Sequence, residues 1–425
     1  MFQSSPDTVT HPFHPTHLLP VKILVLTSRL PWPLDKGDKL RAYHQIRELS
    51  KTHEVYLFCL TSGKTAHMQA ESTPLTSIVR GLKIHRMSTV KRFSRLALSP
   101  LSSRPFQVHW FYQRAAQRSL DAWVNEIQPD LIYCQLVRMA TYVQHMHHIP
   151  KVIDYMDALS AGIARQSRLA PRLMRWLYRI EYRRLRGFEA TVFDYFDGKT
   201  IISGADRKLI QHAEHHLIEV VPNGIDTEFF SRRSLPEHHR EDRVVLFSGN
   251  MSYPPNVDAA KQLVQEVLPR IKTPGVRVLI AGTDPTPDVR ALAGEHVEVT
   301  GWMEDIRSAY ARAALFVAPL RIGTGQQNKI LEAMAMELPC ITTQHVASGF
   351  PKMDSAAPLH VANSPEGLAR HVDRLLSDEN AAQTVRSLSR QWVEKHCDWS
   401  ASTEKLTDTF VHSMSNQTDS SVWPN

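Results

Sequence analysis

The stretch PLRIGTGQQNKILEAMAM, residues 319–336, decides the fold class of this chain. It follows an apolar run at 314–318 that predicts a buried strand, and its own apolar residues from Leu331 onward recur at helical spacing. Gly323 and Gly325 lie between the two elements, where they allow another group to approach the backbone closely. A strand, a glycine turn and a helix N-terminus present unpaired N–H groups and a positive dipole end, which suits an anion such as a diphosphate.

The residues around this turn are candidates for binding a phosphorylated sugar donor. We assign Gly323, Thr324 and Gly325 to backbone contacts with phosphate, Arg321 and Lys329 to neutralising its charge, and Glu332 to accepting from sugar hydroxyls. An ordinary α/β protein can carry the same turn, with Arg321 as an exposed rim residue and Lys329 as a solvent-facing helix residue. The rest of the chain has to decide between the two interpretations.

Length and composition are those of a globular protein with two domains. At 425 residues the chain can form two domains of ordinary size, each with its own core. It has no run of about 18 apolar residues that could span a bilayer. Residues 1–20 show no basic region followed by an apolar core, so we expect no secretory signal, a flexible N-terminus and a cytoplasmic protein.

Neither the cysteines nor the histidines form a metal-binding pattern. Cys59, Cys134, Cys340 and Cys397 are far apart, which argues against a zinc knuckle or a disulfide framework and predicts buried free thiols. The 22 histidines include no helix-spaced His-Glu-x-x-His set. We therefore expect no metal site and no cofactor.

The formal net charge of +7 is concentrated in two segments, 91–118 and 165–186, where arginines alternate with aromatic and aliphatic residues. Basic surfaces with interleaved aromatic residues suit anionic lipid head groups such as those of the inner leaflet. Nucleic acid is not expected as a partner, because the chain contains no recognisable nucleic-acid recognition module. The alternative is a solvated arginine-rich helix face whose aromatic residues belong to the core.

Strand and helix signals alternate along the whole chain. Short apolar runs predict strands at 22–27, 55–60, 83–86, 131–135, 151–154 and 200–203, and a second series at 244–248, 277–281, 297–300, 315–318 and 340–343. This alternation predicts an α/β protein with two doubly wound, Rossmann-like domains. Ligands of such sheets bind outside the carboxyl ends of the strands, so we expect the site in a cleft between the two domains.

Taken together, these segments resemble the retaining glycosyltransferases of family 4, which use nucleotide-sugar donors on the GT-B fold. In that family the helix after the glycine turn reads Leu-Glu-Ala-Met-Ala, here residues 331–335, and Glu332 matches the glutamate that binds the nucleotide ribose. The segments 28–44 (SRLPWPLDKGDKLRAYH), 221–226 (VPNGID) and 247–259 (FSGNMSYPPNVDA) are similar to sugar transferases of PEP-CTERM/exosortase exopolysaccharide systems. Several long motifs in the right order are more specific than any one of them.

The resemblance implies a hexosyltransferase that moves a sugar, with retention and without a metal, from a nucleotide-diphosphate sugar to a lipid-linked or polysaccharide acceptor. Two departures affect the donor site. Many family members have a second glutamate eight positions before Glu332, where this chain has Thr324. The Gly-Arg and Lys pair that often holds the diphosphate is replaced by a segment starting at Gly249, so Arg321 and Lys329 are the candidate substitutes and Gly249 remains a donor-binding candidate.

The resemblance also assigns the domains. We predict a flexible N-terminus at 1–20, an acceptor-side domain at 21–205, a nucleotide-sugar domain at 206–385, C-terminal helices at 386–412 that cross back to the first domain, and a disordered tail at 413–425. The first domain would touch the inner face of the plasma membrane, and the two domains would close on the donor.

Gly37, Asp38 and Lys39 match the first-domain loop that in the family lies over the donor diphosphate and borders the acceptor. Gly37 would allow the donor to approach, whereas Asp38 either meets the acceptor or caps the next helix. Lys39 and Arg41 either bind an anionic acceptor or are surface charges.

Asp154 and Asp157 lie at the end of a predicted strand that faces the expected cleft. Paired carboxylates can orient acceptor hydroxyls or act as a base, so together with Lys329 they are the candidate catalytic residues. Asp154 can instead cap a turn, and Asn223 is expected to shape a turn. Gln135 and Arg138 end another strand and are further acceptor-binding candidates.

Two other functions fit the same fold. A nucleotide-sugar 2-epimerase would convert a nucleotide sugar without an acceptor, although its usual His/Glu pattern is not evident. A catalytically inactive GT-B binding subunit is suggested by Thr324, and it would bind a nucleotide without turnover.

Overall fold

The computed structural model describes residues 20–34, 36–61, 73–99, 102–169, 171–235, 240–322, 326–350 and 358–420. Within these ranges the strands form two separate parallel sheets, one in each half of the chain. The predicted two-domain α/β architecture is therefore confirmed. The predicted flexible N-terminus at 1–19 and the end of the chain at 421–425 lie outside the described residues.

The first sheet has the strand order β3-β2-β1-β4-β5-β6-β7 among the described residues, with every neighbouring pair parallel. Its strands are β1 (Lys22–Thr27), β2 (Glu54–Thr61), β3 (Gly81–Arg86), β4 (Leu131–Gln135), β5 (Lys151–Asp154), β6 (Gly198–Ile201) and β7 (Glu219–Val220). Ile23 to Leu26 of β1 are buried, as expected for a parallel strand covered by helices on both faces.

The second sheet has the order β10-β9-β8-β11-β12-β13 in the part of the chain that the structure describes, again all parallel. Its strands are β8 (Val244–Ser248), β9 (Arg277–Ala281), β10 (Val297–Gly301), β11 (Leu315–Ala318), β12 (Cys340–Thr342) and β13 (Leu359–Val361). Both sheets thus reverse their winding beside the first strand of the set, between β1 and β4 and between β8 and β11. Crevices at such reversal points are where doubly wound sheets bind ligands.

The helices cover both faces of these sheets. They are α1 (Gly37–Leu49), α2 (Leu75–Ile78), α3 (Thr89–Leu98), α4 (Phe106–Phe111), α5 (Arg114–Ile127), α6 (Leu159–Leu169), α7 (Arg175–Phe193), α8 (Gly204–Arg207), α9 (Pro254–Gln262), α10 (Pro287–Arg290), α11 (Arg307–Arg312), α12 (Asn328–Ala335), α13 (Gln344–Ala347), α14 (Pro365–Ser377), α15 (Glu379–His396) and α16 (Trp399–Ser420). A 3₁₀ helix, Val137–Tyr142, follows β4. None of the described helices is long and apolar enough to cross a bilayer.

The first sheet continues beyond the predicted boundary at residue 205. Thr200 and Ile201 of β6 pair with Glu219 and Val220 of β7, so the segment from 206 to 220 belongs to the first domain. The sequence pattern missed β7 because two residues are too short to show a periodicity.

The last helix, α16, packs on the first domain. Phe410 lies 5.3 Å from Tyr133 between ring centroids, and Trp399 stacks on His44 of α1 at 4.9 Å. The predicted disordered tail from 413 is wrong as far as Ser420, because the helix continues to that residue. Ser413 is buried beside Gly198 of β6 and donates to the carbonyl of Thr409 at 2.7 Å, which anchors this part of the helix.

All four cysteines are buried and unpaired, as the sequence predicts. Burial raises the pKa of the Cys397 thiol to about 12. The thiols therefore act as small apolar groups of the core.

Candidate active site

Glu332 lies on α12 and is held by a hydrogen bond from a buried tyrosine of α11. The hydroxyl of Tyr310 donates to Glu332 Oε2 at 2.7 Å. Ser248, the last residue of β8, has its Oγ 2.7 Å from the same hydroxyl, and it must be the donor there because Tyr310 has a single proton to give. The chain Ser248, Tyr310, Glu332 fixes the carboxylate and leaves it further acceptor capacity for a ligand hydroxyl.

The environment of Glu332 is sparingly solvated. Burial raises the pKa of the Glu332 carboxyl, while the hydrogen bond from Tyr310 and the charge of Lys329 oppose that rise. Burial also raises the pKa of Tyr310 well above its ordinary value, so the phenol remains a donor.

Lys329 lies one helical turn before Glu332 on the same helix. Its Nζ donates to Asn256 Oδ1 at 2.5 Å and lies 4.8 Å from the centre of the Phe247 ring. Burial lowers the pKa of Lys329 to about 8, against the opposing effect of the Glu332 carboxylate. The ammonium is thus a cation held at the start of α12 by an amide and an aromatic face, with no carboxylate of the described residues in direct ion-pair contact.

Gly249 brings the end of β8 against this cation. Its φ is +144°, and a Cβ added there would lie 3.0 Å from Lys329 Nζ and 2.8 Å from Asn256 Nδ2. Gly282, after β9, has a φ of +138°, and its Cβ would lie 1.9 Å from the carbonyl oxygen of Gly249. Both positions therefore require glycine, and the structure brings the candidate Gly249 together with Lys329.

Arg321 is not part of this cluster. Its guanidinium binds Asp258 through two hydrogen bonds, of 3.1 and 2.8 Å, and contacts Glu266 at 3.3 Å. Two carboxylates on the helix after β8 already neutralise its charge, which corrects the prediction that Arg321 substitutes for the missing diphosphate clamp. The predicted phosphate turn itself, Gly323, Thr324 and Gly325, lies outside the described residues.

Asp154 and Arg41 form a buried ion pair. Arg41 Nε donates to Asp154 Oδ2 at 2.6 Å, and both side chains are 0% exposed. The hydroxyl of Tyr133 donates to the same oxygen at 2.9 Å, and the N–H of Met156 donates to Oδ1 at 3.0 Å. Groups so enclosed cannot meet a substrate in this conformation, so the predictions of a catalytic Asp154 and an acceptor-binding Arg41 are wrong for this state, and their role is structural.

Asp38 belongs to a charged cluster at the end of β1. Its Oδ2 accepts from Arg29 at 3.0 Å and from Arg138 at 3.2 Å, while its carbonyl accepts from the Gln135 side chain at 3.2 Å. The cap position of α1 is Lys36, so the predicted helix-capping role of Asp38 is wrong. Three acceptor candidates, Asp38, Gln135 and Arg138, are thus brought together.

Arg138 is the most enclosed cation of this cluster. Burial and the nearby charge of Arg29 lower the pKa of Arg138 to about 10, while Asp38 and Asp157 oppose the shift. Asp157 is half-buried, and the pKa of Tyr253 in the second domain is raised by burial and, to a smaller extent, by the negative charge of Asp157. Asp157 therefore lies on the side of the first domain that faces the second, unlike Asp154.

Gly37 and Lys39 lie at the start of α1. Gly37 is exposed, and an added Cβ there would meet nothing within 4 Å. The fold itself does not require a glycine at position 37. Lys39 is half-buried and lines a cavity beside Arg29.

Asn223 joins the two domains through both ends of its amide. Its Oδ1 accepts from Arg41 Nη1 at 2.9 Å, its Nδ2 donates to Asn328 Oδ1 at 3.0 Å, and its backbone N–H donates to Gln326 Oε1 at 2.8 Å. Asn328 is the first residue of α12. The sequence analysis predicted only that Asn223 shapes a turn. The signal that could have identified it as a site residue was its position in the motif VPNGID.

Asn256 and Tyr310 were also missed as site residues. Asn256 is in the first turn of α9, two residues after Pro254, and lies within the quoted segment 247–259. Tyr310 is buried in the core, and the sequence did not identify it, because an isolated tyrosine on a short helix is usually a core-packing residue.

Comparisons with known proteins bear on the second domain and on the overall fold. Residues 242–378 match the family model described as "Glycosyl transferases group 1". HepE from Anabaena, solved in complex with UDP and glucose, superposes with a TM-score of 0.64 at 13% identity, covering 92% of this chain and 99% of HepE. The chain has the GT-B fold.

Two further solved structures show the same architecture. Sucrose-phosphate synthase from Thermosynechococcus elongatus superposes with a TM-score of 0.65 at 14% identity, over 93% of this chain and 100% of that one. WaaG, a glycosyltransferase involved in lipopolysaccharide biosynthesis, gives a TM-score of 0.58 at 14% identity, over 91% and 98%. A search of curated protein sequences finds no significant match. The match to the group 1 glycosyltransferase model lies within the second domain and includes Lys329 and Glu332.

Proposed function

We propose that this protein is a retaining, family 4 hexosyltransferase that moves a sugar from a nucleotide-diphosphate sugar to a lipid-linked or polysaccharide acceptor. The observation that carries the proposal is that Glu332 and Lys329 lie one turn apart on α12, at the reversal point of the second sheet and within the matched residues 242–378. A carboxylate poised for hydroxyls beside a partly buried cation suits a nucleotide ribose and its diphosphate.

In this proposal Glu332 binds the ribose and Lys329 neutralises the leaving diphosphate. The reaction breaks the bond between the anomeric carbon and the diphosphate oxygen, so negative charge grows on that oxygen while the anomeric carbon becomes cationic. Lys329 and the N-terminal amides of α12 are fixed before the reaction, and the side chain of Gln327 does not cap that helix. Such preorganised charge is the usual source of electrostatic catalysis.

The first domain supplies the acceptor side. Asp154 is enclosed, and we assign Asp157, a half-buried carboxylate of the first domain, to orienting the acceptor hydroxyl. The open space over Gly37 admits the donor, since the fold gives no other reason for a glycine there. HepE binds UDP and UDP-glucose, which supports a uridine nucleotide as the first donor to test.

An exposed apolar and basic surface on the first domain supports a lipid-linked acceptor. Leu173, two residues before α7, and Trp176, in its first turn, are 86% and 61% exposed, and the neighbouring arginines Arg175, Arg179 and Arg183 are exposed as well. Apolar side chains ringed by arginines match the interface of an anionic membrane. The similarity of 28–44 and 247–259 to PEP-CTERM-associated transferases supports exopolysaccharide synthesis as the pathway, on the cytoplasmic face of the membrane.

The transfer proposal is tested with a panel of nucleotide sugars. Wild type, Glu332→Ala and the control Glu404→Ala, an exposed residue of α16, are incubated with each donor, with and without a polyprenyl-diphosphate sugar extract, and the released nucleoside diphosphate is measured. We expect release that needs the extract, survives in Glu404→Ala and collapses in Glu332→Ala. Conversion of the donor without acceptor would favour the 2-epimerase, and binding without turnover of any donor would favour the inactive subunit.

The membrane proposal has its own test. Binding to vesicles with and without anionic lipid is compared between wild type, the triple charge reversal Arg175→Glu, Arg179→Glu and Arg183→Glu, and a control with three reversals outside both basic segments, Lys272→Glu, Arg370→Glu and Lys395→Glu, all at exposed positions. We expect the α7 variant alone to lose binding to anionic vesicles. Equal binding by all three proteins would remove the membrane surface from the proposal.

A further inference from the structure

A cavity of about 330 Å³ opens at the carboxyl ends of β1 and β2 in the first domain. Four cationic side chains line it, Arg29, Lys36, Lys39 and Arg92, together with aromatic side chains that include Trp32 and Trp110. Its volume is at the small end of the range of roughly 300–1,000 Å³ that is usual for ligand sites. It has room for about one sugar ring with its substituents.

Arg92 is the side chain that makes this cavity unusual. The residue is 8% exposed, and its Nε, although buried, has no hydrogen-bond acceptor among the described residues. Its guanidinium lies over the Trp110 ring at 4.1 Å from the centroid, and no described carboxylate pairs with it. Buried cations are normally paired, because burial without an opposing charge is costly.

The charges around Arg92 add to the local excess of positive charge. Burial and the positive charge of Arg29 both lower the pKa of Arg92. Arg29 forms its described ion pair with Asp38, which it shares with Arg138. An anion in the cavity would supply the missing negative charge and an acceptor for Arg92.

The cavity is connected to the candidate acceptor residues. Ser28, which lines it, accepts from Arg138 Nε at 3.0 Å, and Arg29 reaches Asp38. The donor candidates Glu332 and Lys329 belong to the other domain, and neither of them lines the cavity.

We propose that this cavity binds a phosphate or carboxylate carried by a sugar of the acceptor, so that the enzyme selects an anionic saccharide. The role of the bound saccharide as an acceptor rests on the proposed transfer function. Binding of an anionic sugar in the cavity does not depend on that function. The cations hold the charged group, and the aromatic side chains line the space beside it for the sugar ring.

The test measures equilibrium binding of D-glucose 6-phosphate, D-glucuronate, inorganic pyrophosphate and D-glucose to the full-length protein, with and without saturating UDP. Glucose 6-phosphate represents a sugar phosphate, glucuronate a sugar carboxylate, and pyrophosphate the diphosphate of a lipid carrier, so the comparison distinguishes these three sources of negative charge. UDP in excess blocks the donor site, and its own affinity is measured separately. We expect at least tenfold tighter binding of an anionic sugar than of glucose, at the same strength with UDP present.

Two variants link this preference to the cavity. Arg92→Gln removes the buried charge, and Lys36→Gln changes an exposed residue whose loss does not endanger folding. Each should reduce the preference several-fold and leave the UDP affinity unchanged, whereas the control Arg118→Gln should change neither. Equal binding of glucose and both anionic sugars, or a preference that survives in both variants, would overturn the inference. A preserved preference in a protein without transferase activity would overturn the transfer proposal instead.

Discussion

The proposed contact between Lys329 and the donor diphosphate, together with the lowered pKa of Lys329, predicts that nucleotide binding depends on pH. A folded-state pKa of about 8, below the ordinary 10.5, means that the ammonium is charged below pH 8 and neutral above it. Its charged fraction falls from about nine-tenths at pH 7 to about one-tenth at pH 9. If the diphosphate binds only the charged form, the affinity for UDP falls about tenfold between these two pH values.

Calorimetry measures this effect directly. UDP titrations at pH 7, 8 and 9, each in two buffers of different ionisation enthalpy, report both the affinity and the protons taken up. Binding an anion raises the pKa of Lys329, so we expect proton uptake near pH 8 to 9 that is absent at pH 7.

Variants at position 329 provide the controls. Lys329→Arg keeps its charge over the whole range, so its affinity should be independent of pH between 7 and 9. Lys329→Gln should weaken UDP binding at pH 7 by about tenfold or more, the usual range for a lost charge-assisted hydrogen bond. The same pH slope in wild type and Lys329→Arg, or no slope in wild type, would refute the assignment of Lys329 to the diphosphate.

Three further substitutions test the surroundings of the site. Asp154→Asn leaves the buried guanidinium of Arg41 without its partner charge, so we expect a loss of about 3–5 kcal/mol in urea unfolding, and a loss below about 1 kcal/mol would show that the pair is not enclosed. Gly282→Ala places a Cβ against the Gly249 carbonyl at a positive φ, and thermal unfolding should show a larger loss than for the open position Gly37→Ala. Tyr310→Phe removes the hydrogen-bond donor to Glu332, so the affinity for UDP should fall several-fold, which corresponds to about 1 kcal/mol of binding free energy. Ser248→Ala, which removes only the donor to Tyr310, should have a smaller effect in the same UDP titration.

The strands of the fold were predictable because their burial leaves a direct trace in the sequence. The apolar runs at 22–27, 131–135 and 151–154 coincide with β1, β4 and β5, since a parallel strand covered on both faces is apolar throughout. The short edge strands β7 and β13 were not predicted, because two or three residues carry too little pattern.

The candidate site was predicted less completely than the fold. Lys329 and Glu332 became candidates because a helix after a glycine turn has a recognisable pattern, and the structure places both on the same helix. Asp154 was misassigned because a carboxylate at a strand end has the same sequence signal whether it faces a cleft or a buried arginine, and Arg41 is 113 positions away along the chain. Arg321 was misassigned for the same reason, since its partner Asp258 is remote in sequence.

The chain crosses between its domains twice, and the two crossings lie side by side. The N–H of Ile225, on the outgoing segment, donates to the carbonyl of Cys397, on the returning one, at 2.7 Å. Two adjacent tethers permit rotation about the line through them but restrict twisting and separation. We therefore expect the two domains to move relative to each other mainly by rotation about one axis. A pair of spectroscopic labels placed far from these tethers, one on each domain, would report that rotation as a change in one distance.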